Sequence, residues 1–357
     1  MRTILLNPGP VTLSERVRAA LLGPDLCHRE SEFATLQDGL RRKLLEVYSL
    51  PAAHWAAALL TGSGTAAVEA MIASMVPRDG RLLVVENGVY GERITRIAEI
   101  YGIATTRVAT VWGGALDLNA IAQALRVNRH SHLAVVHHET TTGRLNDLAA
   151  LAALCRETDV QILLDGVSSF GAEHLDFSGW RIAACAATAN KCLHGVPGTA
   201  FVVLNRRALA QAQATRSVYF DLREYVARQD GHGTPFTQSV QTFYALDAAL
   251  NEFIEAGGWP ARQALFRLRM ATIRKTLEAL GVRALLPEEE TSCVLHAFEL
   301  PAGRTYQALH DALKARGFII YAGQGALSER VFRISAMGDI GATDLARLCR
   351  ALQEVLS

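Results

Sequence analysis

Apolar residues in this chain fall into short unbroken runs, separated by stretches in which they recur every three or four positions. The runs are AALL at 57–60, RLLVV at 81–85, HLAVV at 132–136, QILLD at 161–165 and AFVVL at 200–204. A strand apolar on both faces is covered on both sides, as in a parallel sheet between helical layers. The intervening segments AAVEAMIASMV, YGERITRIAEIYG, LNAIAQALRV and DLAALAALCRET carry their apolar residues on one helical face. Strand and helix in alternation predict an α/β domain with a mainly parallel sheet.

Both ends of the chain break this rhythm. An Asn-Pro-Gly-Pro turn at 7–10 separates a short apolar arm from a predicted helix over 14–22, with Ser14 as its N-cap. After the Gly257-Gly258 pair the order becomes a helix over 262–280, SCVLHAFEL, a helix over 306–316, the strands FIIYA and VFRIS, and a closing helix from Thr343. That order predicts a smaller α+β domain over 256–357, behind an arm and a large domain over 1–255. No internal repeat or low-complexity tract interrupts either part.

Composition narrows the function. The 357 residues suit about two domains, and half of them are hydrophobic. A net charge of +1 with no run of Lys or Arg argues against nucleic acid or a membrane surface as partner. The six cysteines form no C-x-x-C pair, which argues against zinc or redox work and for reduced thiols. MRTILLNPGPVT is too short an apolar stretch for a signal peptide, and no run of about 18 apolar residues exists. The expected setting is the cytoplasm, and the expected partners are small molecules and a second copy of the chain.

Four features carry chemistry. Gly62, Ser63, Gly64 and Thr65 follow an apolar run and open a helix, which suits either a phosphate cradle at a helix N-terminus or a plain small-residue turn. Asp165 closes QILLD at the carboxyl end of a buried strand, where open α/β sheets bind ligands; a turn or N-cap aspartate is the alternative. Lys191, in CAATANKCLHGVPGTAFVV, is flanked by small and apolar residues, so desolvation would lower its pKa and free its amine for a Schiff base. Arg333 in FRIS would be an odd burial on an apolar strand, and its planar guanidinium suits two parallel hydrogen bonds to an acidic group.

The segments LLNPGPVTLSERV, TGSGTAAVEA, ENGVYGERI, HHETTTGRLN, LLDGVSSFGA, ANKCLHGVPGTAFV and FRISAMGDI, spread over nearly the whole chain, resemble the class V aminotransferases of pyridoxal-phosphate fold type I. The resemblance implies a large domain with a mainly parallel seven-stranded sheet and a smaller C-terminal α+β domain. It implies pyridoxal 5'-phosphate as cofactor, joined to Lys191, with Asp165 pairing the pyridine nitrogen and keeping the ring an electron sink. Ser63, Gly64 and Thr65 would take the phosphate, Tyr90 would stack on the ring and Thr140 would sit near the phenolic oxygen. Thr237 would reach the phosphate of a neighbouring subunit, making the active unit a homodimer. Lys191 would be both anchor and general acid/base.

Within the class the chain is most similar to the members that act on 2-aminoethylphosphonate and pyruvate, yielding phosphonoacetaldehyde and alanine. Their dianionic substrate needs cations, for which Arg333, Arg29 and His28 are the candidates. CHRESEF is instead closer to the H-R-x-x-x-F of alanine:glyoxylate and serine:pyruvate enzymes, which stand as the alternative. A cysteine desulfurase is disfavoured because Cys293 and Cys349 fall in a strand and a helix. A non-catalytic pyridoxal-phosphate-binding protein is disfavoured because cradle, Asp165, Lys191 and Arg333 are all present.

Overall fold

The computed structural model describes residues 2–213 and 216–357. Its centre is a seven-stranded sheet in the order Trp55–Gly62, Gly198–Asn205, Ile182–Thr188, Gln161–Asp165, His132–Val136, Arg81–Glu86, Ala104–Ala109. All strands run the same way except Gly198–Asn205, which is antiparallel to both of its neighbours. Every residue of His132–Val136 and of Ile182–Thr188 is buried, because helices cover both faces. One face packs Leu133, Val135 and Leu164 with Leu40, Leu151 and Leu246 of three helices. The other packs Ala134, Val136 and Leu163 with Val68, Met71 and Ile94.

The five predicted runs are strands, and the four predicted helices between them form. Two strands left unmarked by the apolar pattern complete the sheet. Ile182–Thr188 has the sequence IAACAAT, and Ala has low strand propensity; the small side chains suit it because the helix Gly64–Met75 packs on it. Ala104–Ala109 is an edge strand with no buried residue, so it lacks the apolar signature.

Residues 256–357 contribute the long helix Gly258–Ala279 and a three-stranded antiparallel sheet of Leu295–Glu299, Val331–Ser335 and Tyr321–Ala322. The N-terminal arm packs here. Ile4 and Leu5 pair in parallel with Phe318 and Ile319, and Ile4, Leu6 and Val11 share a core with Phe318, Phe332 and Ile334. No helix among the described residues is long and apolar enough to cross a membrane.

This topology concentrates loops at one edge of the large sheet. The carboxyl ends of the parallel strands, at Gly62, Glu86, Val136, Asp165 and Thr188, lie there together with the start of the antiparallel strand at Gly198. Asp165 is one of those ends, and every other sequence candidate except those at 28, 29, 237 and 333 lies within four residues after one.

Candidate active site

Strand Trp55–Gly62 gives way at once to helix Gly64–Met75. Ser63, the N-cap, has extended backbone and makes no side-chain cap bond, so no side chain competes for the first-turn N–H groups. An unshielded helix N-terminus favours an anion. Gly64 is required by packing: a Cβ there would stand 2.7 Å from Cγ1 of Val167. The N–H of Val167 in turn donates to Oδ1 of Asp165 at 3.0 Å, so the glycine turn and Asp165 stand back to back.

Asp165 ends its strand buried. Desolvation pushes its carboxyl up to about 6, opposed by the Val167 N–H, Arg93 and Lys191. Lys191 lies in the turn between Ile182–Thr188 and Gly198–Asn205. Burial lowers its ammonium to about 8, with Cys192 and Asp165 pulling it up and Arg333 and Arg93 pushing it down. Its Nζ donates to the Pro8 carbonyl of the N-terminal arm, and a Cβ on Gly9 would lie 2.7 Å from Lys191 Cδ. The mutual influence of Asp165, Lys191, Arg93 and Arg333 places all four in one electrostatic neighbourhood.

Arg333 is 2% exposed. Its Nε donates to the Ala322 carbonyl at 2.8 Å and its Nη1 to the Thr140 carbonyl at 2.9 Å, an anchorage that spans both parts of the chain. Thr140 is buried, and its hydroxyl has no hydrogen-bond partner in the structure. Buried polar atoms are almost always paired, so this hydroxyl is free to meet a polar group of a ligand or a water. Tyr90 sits in the first turn of helix Val89–Ile100, half-buried, with the Arg93 guanidinium 4.8 Å from its ring centroid.

Three further groups belong here that sequence reasoning did not single out. Arg93 donates from Nη1 to Thr65 Oγ1 at 3.1 Å, bringing a positive charge to the glycine turn. It is three residues beyond Tyr90, a spacing that puts both on one helix face. Glu139 is completely buried, and desolvation pushes it up to about 7. His138 hydrogen-bonds the Ser168 carbonyl through Nδ1 at 3.0 Å. Burial lowers His137 and His138 to about 4, so both are neutral at pH 7.

The remaining candidates make no hydrogen bond to Lys191, Asp165 or Arg333 among the described residues, although Gln238 and Ser239, next to Thr237, bond Thr61 beside the glycine turn. Thr237 is exposed in the segment leading into helix Val240–Glu255. Arg29 is exposed and His28 half-buried just before helix Ser31–Glu46, and no hydrogen bond or ion pair among the described residues joins either to Lys191, Asp165 or Arg333. The Nε2 of His28 is buried without a partner. All six cysteines are free; Cys293 is buried and its thiol is held well above the usual range, first by desolvation and then by Glu173.

The sequence profile described as aminotransferase class V matches residues 25–347. The 2-aminoethylphosphonate--pyruvate transaminase of Vibrio cholerae is 35% identical, over 99% of this chain and 97% of its own length. Among solved structures, an aspartate aminotransferase of Thermus thermophilus superposes with a TM-score of 0.91 at 30% identity, over 99% of each chain. The alanine--glyoxylate aminotransferase of Nostoc superposes with a TM-score of 0.92 at 26% identity, over 100% of this chain and 96% of the other.

Proposed function

Since the chain belongs to the class V aminotransferases, a pyridoxal-phosphate-dependent family, we propose that it transfers the amino group of 2-aminoethylphosphonate to pyruvate, forming phosphonoacetaldehyde and alanine. The observation that carries this reading is Arg333, a buried guanidinium anchored by two carbonyls beside Lys191, in a chain aligned end to end with a transaminase of that substrate pair.

The residues present fit the cofactor. The uncapped first turn after Ser63, with Gly64 and Thr65, suits a phosphate, and Arg93 adds charge to it. The orphan hydroxyl of Thr140 suits a phenolic oxygen, and Tyr90 supplies a ring to stack. Asp165 is a buried acid that ionises more readily beside a cation, which suits a protonated ring nitrogen. Bound there, pyridoxal phosphate supplies an electron sink for the carbon that carries the amine. Lys191 is the amine for its covalent attachment, and once released it takes the proton from that carbon and returns one; an amine with a pKa of about 8 does both near neutral pH. Arg333 orients the acidic group of either substrate so that its reacting carbon faces Lys191.

We place His28, Arg29 and the exposed Thr237 in the same centre across a homodimer, Thr237 reaching the partner's phosphate turn, and the protein in the cytoplasm. The second reading, an alanine:glyoxylate type enzyme, is favoured by His28 and Arg29 in CHRESEF and by likeness to the Nostoc enzyme. Steady-state rates with 2-aminoethylphosphonate, alanine, serine and aspartate, each against pyruvate and glyoxylate, separate the two. A 2-aminoethylphosphonate rate below the others would leave only the second. Replacing Lys191 with Ala should abolish turnover with every donor, and sustained transamination by that variant would refute the assignment of Lys191.

A further inference from the structure

Glu139 is tied to the walls of the site by three hydrogen bonds. Its Oε1 accepts from the Thr141 N–H at 3.1 Å and from the Thr141 hydroxyl at 2.5 Å, and its Oε2 accepts from the Tyr90 N–H at 3.2 Å. Helix Val89–Ile100 begins at Gly88, which has no side chain to cap it, so Glu139 takes over that role from a different segment. Gly88 must be glycine for this: a Cβ would stand 2.3 Å from Glu139 Cδ. The Thr141 hydroxyl also lies 3.5 Å from Gln324 Oε1, next to the loop that follows Tyr321–Ala322.

These bonds bracket Arg333. One of its two anchors is the carbonyl of Thr140, the residue between Glu139 and Thr141, and the other is Ala322. The orientation of the Thr140 peptide is therefore set by a carboxylate on one side and a threonine bound to that carboxylate on the other. Reactive groups hold their geometry only when neighbouring hydrogen bonds lock them.

We propose that Glu139 is a positioning residue that locks the Thr140 carbonyl toward Arg333 while fixing the start of the Tyr90 helix, so that the substrate-gripping guanidinium and the ring-stacking tyrosine keep one spacing. The proposal rests on the reading that Arg333 takes the acidic group of the substrates. It assigns Glu139 no contact with substrate and no proton transfer.

A double-mutant cycle on the full holoenzyme tests it. Glu139→Gln keeps the volume but has only one acceptor oxygen, so it cannot serve both Thr141 and Tyr90. It should raise KM for pyruvate about fivefold with kcat within about threefold, since the lost interaction orients substrate equally in ground and transition states. Arg333→Lys should raise the same KM by about tenfold or more, because lysine lacks the planar fork. In the Arg333→Lys background, Glu139→Gln should add less than about twofold. Thr141→Val, a milder removal of one donor, should show the same KM signature at smaller size if Glu139→Gln folds poorly. Melting temperature and the visible absorbance of the bound cofactor, read on all variants, should stay near wild type for Thr141→Val. An undiminished Glu139→Gln effect on top of Arg333→Lys overturns the proposal. So does a Thr141→Val variant that lowers kcat and melting temperature with KM unchanged. An Arg333→Lys variant with unchanged KM instead overturns the substrate-grip reading on which it rests.

Discussion

Burial of Asp165 works against the cofactor-free fold once its carboxyl ionises. An unfolded aspartate titrates near 3.9, whereas the buried one titrates at about 6. Between those values the folded state holds a proton that the unfolded state has lost, so cofactor-free stability falls as pH rises through that window. Asp165→Asn removes the burden. At pH 8 the cofactor-free variant should melt higher than wild type, by roughly 2 °C or more, and its decline between about pH 4 and 6 should be shallower. With cofactor bound the order should reverse, because the variant cannot offer a charge to a protonated ring nitrogen. Thermal melts of both forms over that pH range check both halves; a cofactor-free variant that melts lower at pH 8 would contradict the account of Asp165. Asp165 and Lys191 were legible in the sequence because their setting is local: a strand end, and a lysine among small residues. Glu139 was not: two of its bonds are local, to Thr141, but its burial against Gly88 and its third bond, to the Tyr90 N–H 49 residues away, exist only in the folded chain.

At the scale of elements, the apolar runs made five strands legible, while Ile182–Thr188 was hidden by its alanines and Ala104–Ala109 by its exposure. The arm could be read as apolar but not as to its place. Its pairing with Phe318–Ile319 delivers Pro8 and Gly9 to Lys191, tying the C-terminal part of the chain to the lysine. Gly9 has φ of +111°, where a side chain is strained, and lies against the lysine stem. Gly9→Ala should therefore displace Lys191 without altering either partner's chemistry. The expected outcome is at least a tenfold faster loss of visible cofactor absorbance on dialysis; unchanged retention would show that the arm does not hold the lysine in place.

On the scale of the whole molecule, one sheet edge gathers the glycine turn, Asp165 and Lys191, and the C-terminal sheet adds Arg333. Thr237 is exposed, and its neighbours Gln238 and Ser239 bond Thr61 beside the glycine turn of the same chain, while no hydrogen bond among the described residues joins Thr237 itself to Asp165, Lys191 or Arg333. If it completes a partner's site, complementation follows. A Lys191→Ala chain and a Thr237 variant that has lost activity, mixed under conditions of subunit exchange, should form hybrid dimers with one intact site. Activity of about a quarter of wild type is expected from random pairing in a two-fold dimer. No recovery, despite hybrid formation seen by native mass spectrometry, would place Thr237 in its own subunit's site or outside both.

The central claim, amino transfer from 2-aminoethylphosphonate by way of Lys191, is tested most directly by a single half-turnover. Purified holoenzyme is mixed with 2-aminoethylphosphonate and no keto acid. The account predicts that the visible cofactor band bleaches with one equivalent of phosphonoacetaldehyde per subunit, and that pyruvate restores it with one equivalent of alanine. A band unmoved by 2-aminoethylphosphonate but bleached by serine or aspartate would contradict it.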